Sequence, residues 1–398
     1  YSCLLISHRS LLSIFFIIIY ITDWAPCKIN NRAKTISINP QPGQADTHSD
    51  GWASASSALC AGERGRPRMT TPLITVKNLK TWFPITGGVF SRRIGDVKAV
   101  DGVSFHINRG EIFGLVGESG CGKSTIGRSV LRLLKPTAGR VTYEDTVLFD
   151  VEAREQISAK QMRLLRRNMQ IIFQDPFASL DPRMNVGSIV AEGLSAHRIA
   201  TGQAALEQAQ ELLYLCGLPA SAVNKYPHEF SGGQRQRISI ARALAFHPDF
   251  IVADEPIAAL DVSIQAQILT LMQELKEKLK LTYLFISHDL GVVRYFCDRI
   301  AVMYLGNFVE TGTSEQIFAN PLHPYTKALL SAVPNTELGA RRQRIILQGS
   351  VPSPANPPSG CKFHTRCPMA RPQCANSKPE LGELEPGHTV ACPFAEQQ

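Results

Sequence analysis

Nine consecutive residues, Gly117 to Thr125 (GESGCGKST), carry the chemistry of phosphate binding. They fit the pattern G-x-x-x-x-G-K-[ST]. Glycines let a backbone curl round an anion with its N–H groups turned inward. The lysine gives a point charge to the β- and γ-phosphates, and the hydroxyl after it can ligate Mg²⁺. Gly117, Ser119, Gly120, Cys121, Gly122, Lys123, Ser124 and Thr125 are therefore candidate nucleotide-binding residues. The apolar run from Glu111 to Val116 reads as a strand, and Ile126 to Leu134 has helical apolar spacing. The loop is expected between that strand and a helix N-terminus, whose dipole favours phosphate.

Four further segments carry matching chemistry. Phe250 to Glu255 (FIVADE) is an apolar strand ending in two acids. Asp254 is placed to reach Mg²⁺ and Glu255 to act on an attacking water. Phe230 to Arg237 (FSGGQRQR) opens a helix, with Ser231 as N-cap and Gly232 and Gly233 leaving N–H groups bare. That makes a second anion-binding helix start. Gln174 follows the apolar run Met169 to Phe173, and His288 follows the buried-type strand Tyr283 to Ser287.

In this order and at these spacings the segments resemble the nucleotide-binding subunit of an ATP-binding cassette transporter. The matching motifs are the phosphate loop, Gln174, Ser231 to Gln234, the acidic strand, Ala258 to Asp261 (AALD) and His288, and the match covers roughly residues 72–335. The resemblance implies an ATPase that binds ATP and Mg²⁺. In it Lys123, Gln174, Glu255 and His288 are catalytic, with Glu255 as general base and His288 at the γ-phosphate. Ser124, Gln174 and Asp254 hold Mg²⁺. Phe83 aligns with the aromatic that stacks on adenine, with Trp82 as the alternative. Ser231, Gly232, Gly233, Gln234 and Asp261 serve an ATP sandwiched against a second ATPase subunit. Ala258 stands where the family usually has Ser or Thr.

Composition agrees. The chain has 398 residues, 44% hydrophobic and 19% charged, ordinary for a globular protein of more than one unit. Its net charge is +8. Residues 1–68 hold seven basic and four acidic residues, leaving a mild +5 for the rest. No basic run with interleaved aromatics appears, so no nucleic-acid partner is expected.

The first methionine is Met69. Leu11 to Ile21 is strongly apolar but too short to span a bilayer. Residues 28–68 are polar and aperiodic. We expect residues 1–68 to be a non-native or disordered extension, the cassette domain to occupy 69–319, and a C-terminal extension to occupy 320–398.

The fold expected is α/β. It has a P-loop NTPase core with a parallel sheet, an antiparallel β subdomain and a helical subdomain bearing the signature, followed by the small cysteine-rich extension. Leu73 to Val76 and Val97 to Ile107 read as antiparallel strands, with a loop from Pro84 to Asp96. Helices are predicted over 158–167, 186–194, 204–216, 231–246 and 263–280, and core strands over 169–173, 250–254, 282–287 and 299–304.

After a Pro-rich stretch come Cys361, Cys367, Cys374 and Cys392, spaced C-x5-C-x6-C-x17-C. Four clustered cysteines beside a nucleotide hydrolase suggest a metal site rather than disulfides. His364 and His388 are possible substitute ligands. Pro321 to Leu330 (PLHPYTKALL), the segment CKFHTRCP from Cys361, and the stretches 173–183 and 253–267 resemble the dipeptide/oligopeptide importer ATPases. That resemblance implies a [4Fe–4S] cluster on the four cysteines, with Zn²⁺ the rival. It also implies two membrane permease subunits, an external peptide-binding protein, and a peripheral site on the cytoplasmic face of the inner membrane. The rival functions are a soluble cassette ATPase acting on nucleic acid or ribosomes, and an importer ATPase for another cargo such as nickel.

Overall fold

Two kinds of apolar pattern build two sheets. A computed structural model describes residues 72–87, 92–333 and 344–395, so the expectation for 1–68 lies outside the described residues. The alternating pattern gives the first sheet. Strands β1 (Pro72–Gly87) and β2 (Arg92–Asn108) pair antiparallel, with Val76 opposite Phe105 and Phe83 opposite Val97. β4 (Ala138–Tyr143), β5 (Thr146–Asp150) and β6 (Glu155–Gln156) complete the order β2-β1-β4-β5-β6.

Of the loop expected over Pro84 to Asp96, residues 84–87 and 92–96 are instead paired strand. Pro84 pairs with Asp96, Ile85 with Gly95 and Gly87 with Arg92. β-branched Ile85, Thr86 and Ile94 favour extended backbone, and Arg93 holds Asp96 through Nε at 2.8 Å. Gly87, Arg92, Arg93 and Gly95, which suggested a loop, sit on these solvated paired strands.

Continuous apolar runs give the second sheet, as strands buried on both faces require. β3 (Ile112–Val116), β7 (Met169–Ile172), β8 (Phe250–Asp254), β9 (Thr282–Ile286) and β10 (Arg299–Tyr304) are parallel, in the order β7-β8-β9-β3-β10. Alternate residues serve opposite faces. Ile112, Val116, Tyr283 and Phe285 join one core, and Phe113, Leu115, Leu284 and Ile286 the other. The antiparallel strands β11 (Asn307–Thr313), β13 (His388–Val390) and β12 (Gly382–Glu385) continue the sheet beyond β10. Strands β12 and β13 come from the C-terminal extension, which sequence reasoning treated as a linker and a cysteine cluster.

Helices cover both faces. α1 (Lys123–Val130) follows β3 and packs so closely on β8 that a Cβ on Gly127 would lie 2.7 Å from Val252 Cγ1. Then come α2 (Ala159–Leu165), α3 (Pro176–Ser179), α4 (Val186–Ala196), α5 (Gln203–Leu215) and α6 (Gly232–Leu244). α4, α5 and α6 pack on one another through Val190, Leu194, Ala209, Leu213, Ile240 and their neighbours. α7 (Val262–Leu279) links β8 to β9, and α8 (Leu290–Phe296) links β9 to β10. α9 (Ser314–Ala319), α10 (Pro324–Ser331) and α11 (Pro372–Asn376) follow. The predicted helices and core strands all form, within a residue or two at most ends. Among the described residues no helix is long and apolar enough to cross a membrane.

Candidate nucleotide site

Sheet register brings the site together. Leu115 and Asp254 both stand opposite Ile286 across their shared ladders. The chain leaving β3, β8 and β9 therefore emerges along one edge, where ligands of parallel sheets bind. The phosphate loop, Glu255 and His288 are the residues that emerge there.

The loop is held by backbone sterics. Gly117 and Gly122 have φ of +151° and +110°, and a Cβ at either would lie 2.2 Å from Met303 O or 2.1 Å from Ala99 O. Any side chain there collides with a carbonyl, so only glycine closes the turn. Gly122 is the N-cap of α1. Ser119 and Gly120 are exposed at the loop's tip, while Cys121 is buried and its thiol is pushed up by burial. Buried Lys123 donates from Nζ to Gly117 O at 2.8 Å and Glu118 O at 3.2 Å. Its ammonium thus lies inside the loop. Thr125, half-buried, follows in the first turn of α1.

Ser124 Oγ donates to Asp254 Oδ1 at 2.6 Å, while Arg128 NH2 meets Asp254 Oδ2 at 3.3 Å. A hydroxyl and a fully buried carboxylate side by side make an oxygen donor set suited to Mg²⁺. One residue on, Glu255 has φ +49°, and its N–H donates to Ile286 O at 3.0 Å. This left-handed turn swings the Glu255 carboxylate off the strand axis. Its Oε2 accepts from Gln174 Nε2 at 2.7 Å and lies 3.3 Å from His288 Nδ1. Lys123, Ser124, Gln174, Asp254, Glu255 and His288 are thereby joined at the ends of β3, β7, β8 and β9.

The signature residues form a separate group. Ser231 accepts from Gln234 N at 3.4 Å, and Gln234 Oε1 accepts from Ser231 N at 3.0 Å. This capping box explains the spacing of Ser and Gln. Gly232 and Gly233 lie where a Cβ would meet Leu260 Cδ2 at 3.3 Å and Ile264 Cγ2 at 2.5 Å. Asp261 is the exposed N-cap residue of α7, without a side-chain cap bond. Ser231 to Gln234 and Asp261 thus share a neighbourhood around Leu260 and Ile264, with Arg235 stacked 4.1 Å over Phe177. On β1, Phe83 is exposed, whereas Lys98 and Lys80 cover the Trp82 ring at 4.9 and 5.9 Å.

Comparison with known proteins agrees with this geometry. Residues 100–258 match the ABC transporter family, and residues 309–374 match the oligopeptide/dipeptide transporter C-terminal region. The oligopeptide transport ATP-binding protein AppF of Bacillus subtilis is 53% identical over 323 residues, spanning 80% of this chain and 96% of its own. The chain belongs to the ATP-binding subunits of ABC transporters. It is an ATPase with the oligopeptide/dipeptide C-terminal domain. The dipeptide transport ATP-binding protein DppF of Haemophilus influenzae is 47% identical over 81% of this ATPase and 96% of its own length. Among solved structures, a dimeric post-hydrolysis state of the ATP-binding cassette MJ0796 bound to ADP and Pi is 29% identical. It has TM-score 0.52 and covers 61% of this chain and 98% of that one. The cbiO1 cassette of Clostridium perfringens is 27% identical, with TM-score 0.52, covering 63% and 92%.

The four C-terminal cysteines are half-buried. Burial pushes the Cys361 thiol up to about 11, and the nearby Cys374, Cys367 and Cys392 add to the shift. Cys367 and Cys392 are raised in the same way, by burial first and then by neighbouring thiols of the set. Yet among the described residues no group of three or more His, Cys, Asp or Glu stands at the spacing of a metal site. His388 is not beside them as a ligand. It is wholly buried with Nε2 2.8 Å from Glu310 Oε1. His364 stays close, with Nδ1 2.8 Å from Cys361 O. Sequence reasoning missed Arg128, Glu310 and the pair Glu118–Arg366. Each has a side-chain partner 78 to 248 residues away in the chain, and no local motif marks it.

Proposed function

We propose that this ATPase drives a membrane importer for oligopeptides or dipeptides, and that ATP is hydrolysed between two such subunits. What supports this is the convergence of Lys123, Ser124, Asp254, Glu255, Gln174 and His288 on one sheet edge, together with the peptide-transport names of the relatives. The partners are a second ATPase subunit, two transmembrane permeases and an external peptide-binding protein, with the ATPase peripheral on the cytoplasmic face of the inner membrane.

The chemistry is mostly positioning and charge. Lys123 exchanges loop carbonyls for phosphate oxygens. Ser124 and Asp254, with Gln174, would hold Mg²⁺, which when bound would neutralise charge on the phosphate oxygens. Glu255 takes the proton of the attacking water, oriented by Gln174 and His288. His288 reaches the γ-phosphate from the end of β9. Phe83 stacks on the adenine. Ser231 to Gln234 and Asp261 complete the ATP site of the partner subunit, since they lie apart from the Lys123 cluster.

The same reading assigns Cys361, Cys367, Cys374 and Cys392 to a [4Fe–4S] cluster. Four mutually close thiols match the ligand number of such a cluster. Tetrahedral zinc would need sulfurs about 3.8 Å apart. A single zinc ion is therefore the rival occupant of the same four thiols. When bound, the cluster serves as a structural crosslink.

The test is ATP hydrolysis by the complex reconstituted in vesicles with its permeases and binding protein. Addition of a di- or oligopeptide should raise turnover. Stimulation by nickel and not by peptide would overturn the cargo. Turnover equal in the absence of the permeases would overturn the coupling.

A further inference from the structure

The C-terminal segment 361–367 is locked to the phosphate loop from behind. Arg366, nearly buried, places NH1 2.9 Å from Glu118 Oε2 and NH2 3.2 Å from Glu118 Oε1. This is a two-pronged guanidinium–carboxylate pair, the strong and directional form of such contacts. Glu118 is the second residue of the phosphate loop. Its N–H donates to the buried Tyr325 hydroxyl at 3.0 Å, and its carbonyl accepts from Lys123 Nζ. One residue of the loop therefore joins Lys123, α10 and the C-terminal extension.

The segment has little freedom to move away. Phe363 is buried against Tyr304, Tyr325 and His323, with ring centroids 5.2, 5.3 and 5.7 Å away. Lys362 Nζ donates to Leu305 O at 2.8 Å and meets Asp101 Oδ2 at 3.1 Å. The next residue, Gly306, donates its N–H to Cys121 O, again in the phosphate loop. Two routes thus run from the extension into the loop, one by charge through Arg366 and one by backbone through Lys362.

We propose that Arg366 is a positioning residue for ATP. Its guanidinium neutralises and orients Glu118 within the phosphate loop, so the extension sets nucleotide affinity. The electrostatic reason is direct. Glu118 carries a negative charge in a loop built to receive the negative charges of phosphates. Unpaired, that carboxylate repels ATP and is free to turn toward the anion site. Paired with Arg366, it is neutral at a distance and fixed in direction. The forked geometry matters because it fixes the carboxylate plane as well as its charge.

The test is the dissociation constant of Mg-ATP, measured by calorimetry on the full chain, beside the thermal midpoint of each variant. Arg366→Met keeps the stem but removes the charge and should raise the Kd about tenfold, or about 1.4 kcal/mol. Adding Glu118→Gln to that variant removes the uncompensated charge and should return the Kd to within about threefold of wild type. A role in folding alone would not be rescued this way. A Kd unchanged in Arg366→Met overturns the proposal, as does a double variant that binds as weakly as the single one. Should Arg366→Met fail to fold, Arg366→Lys keeps the charge and loses the fork. Its Kd should rise by a smaller factor, and an unchanged value overturns the orienting role.

Discussion

Glu255 stands at the one strained backbone position of the carboxylate pair. Asp254 ends β8 in regular strand geometry, whereas Glu255 turns to φ +49°. A non-glycine residue there costs about 1–2 kcal/mol, so surrounding structure must hold it. The ladder to Ile286 and the contacts to Gln174 and His288 do so. Glu255→Gln keeps size and hydrogen-bonding reach but cannot take a proton. It should bind Mg-ATP as wild type and lose hydrolysis by about 10²–10⁴-fold. Turnover near that of wild type would remove Glu255 as the base. The identity of these residues was legible because phosphate chemistry restricts residue types within a few positions of one another. The turn at Glu255 was not legible, since nothing in FIVADE distinguishes a strand that ends straight from one that ends in a left-handed residue.

At the scale of elements, the outer hairpin of β12 and β13 is docked by a buried charge. Glu310 on β11 is fully buried and accepts from Leu322 N at 2.8 Å and His323 N at 2.9 Å. Its Oε1 also meets His388 Nε2 at 2.8 Å, and Glu385 lies 3.7 Å from His388 Nδ1. Burial opposes charge on His388, but the bond to Glu310 and the charges of Glu310 and Glu385 outweigh it, so the histidine is raised. A raised histidine stabilises fully below the unfolded value, about 6.5, and loses that contribution as pH rises through the folded value. His323, also buried, is shifted the other way, to about 4, mainly by burial. Its contribution is complete above about 6.5 and is lost as pH falls toward its folded value. The hairpin should therefore be most protected from hydrogen exchange near pH 6.5–7, with protection falling on both sides. His388→Gln should abolish the alkaline fall and keep the acidic one; an unchanged alkaline limb would exclude His388 as its cause. Glu310→Gln should cost about 3–5 kcal/mol, because it leaves the buried partners of a carboxylate without its charge. Helices and parallel strands were readable from period and apolar runs. The two added strands were not, because GELE and HTV are short, polar and indistinguishable from loop until β11 supplies an edge. The paired strands at 84–87 and 92–96 read as loop for a related reason: their pairing is cross-strand and solvated, so no apolar alternation announces it.

For the whole molecule, the cysteine set lies on pieces that sequence distance keeps apart. Cys361 and Cys367 bracket the segment clamped to the phosphate loop, Cys374 lies on α11, and Cys392 follows β13 at the far end of the large sheet. Cys361 N–H already donates to Cys374 O at 2.8 Å, so two of these pieces meet without any bound group. After α10 the extension has little core of its own beyond Phe363, Val390 and their immediate neighbours. A crosslink among four thiolates would limit its opening far more than these contacts can. Full-length protein purified without oxygen should then carry about four irons per chain. Cys392→Ser should lose the iron and expose β12 and β13 to faster hydrogen exchange. Cys361→Ser should in addition weaken ATP binding, because its segment carries Arg366 to Glu118. Iron-free protein with one zinc per chain would replace the cluster by a single ion. Equal ATP affinity in Cys361→Ser and Cys392→Ser would show that loosening the extension does not reach the phosphate loop through Arg366.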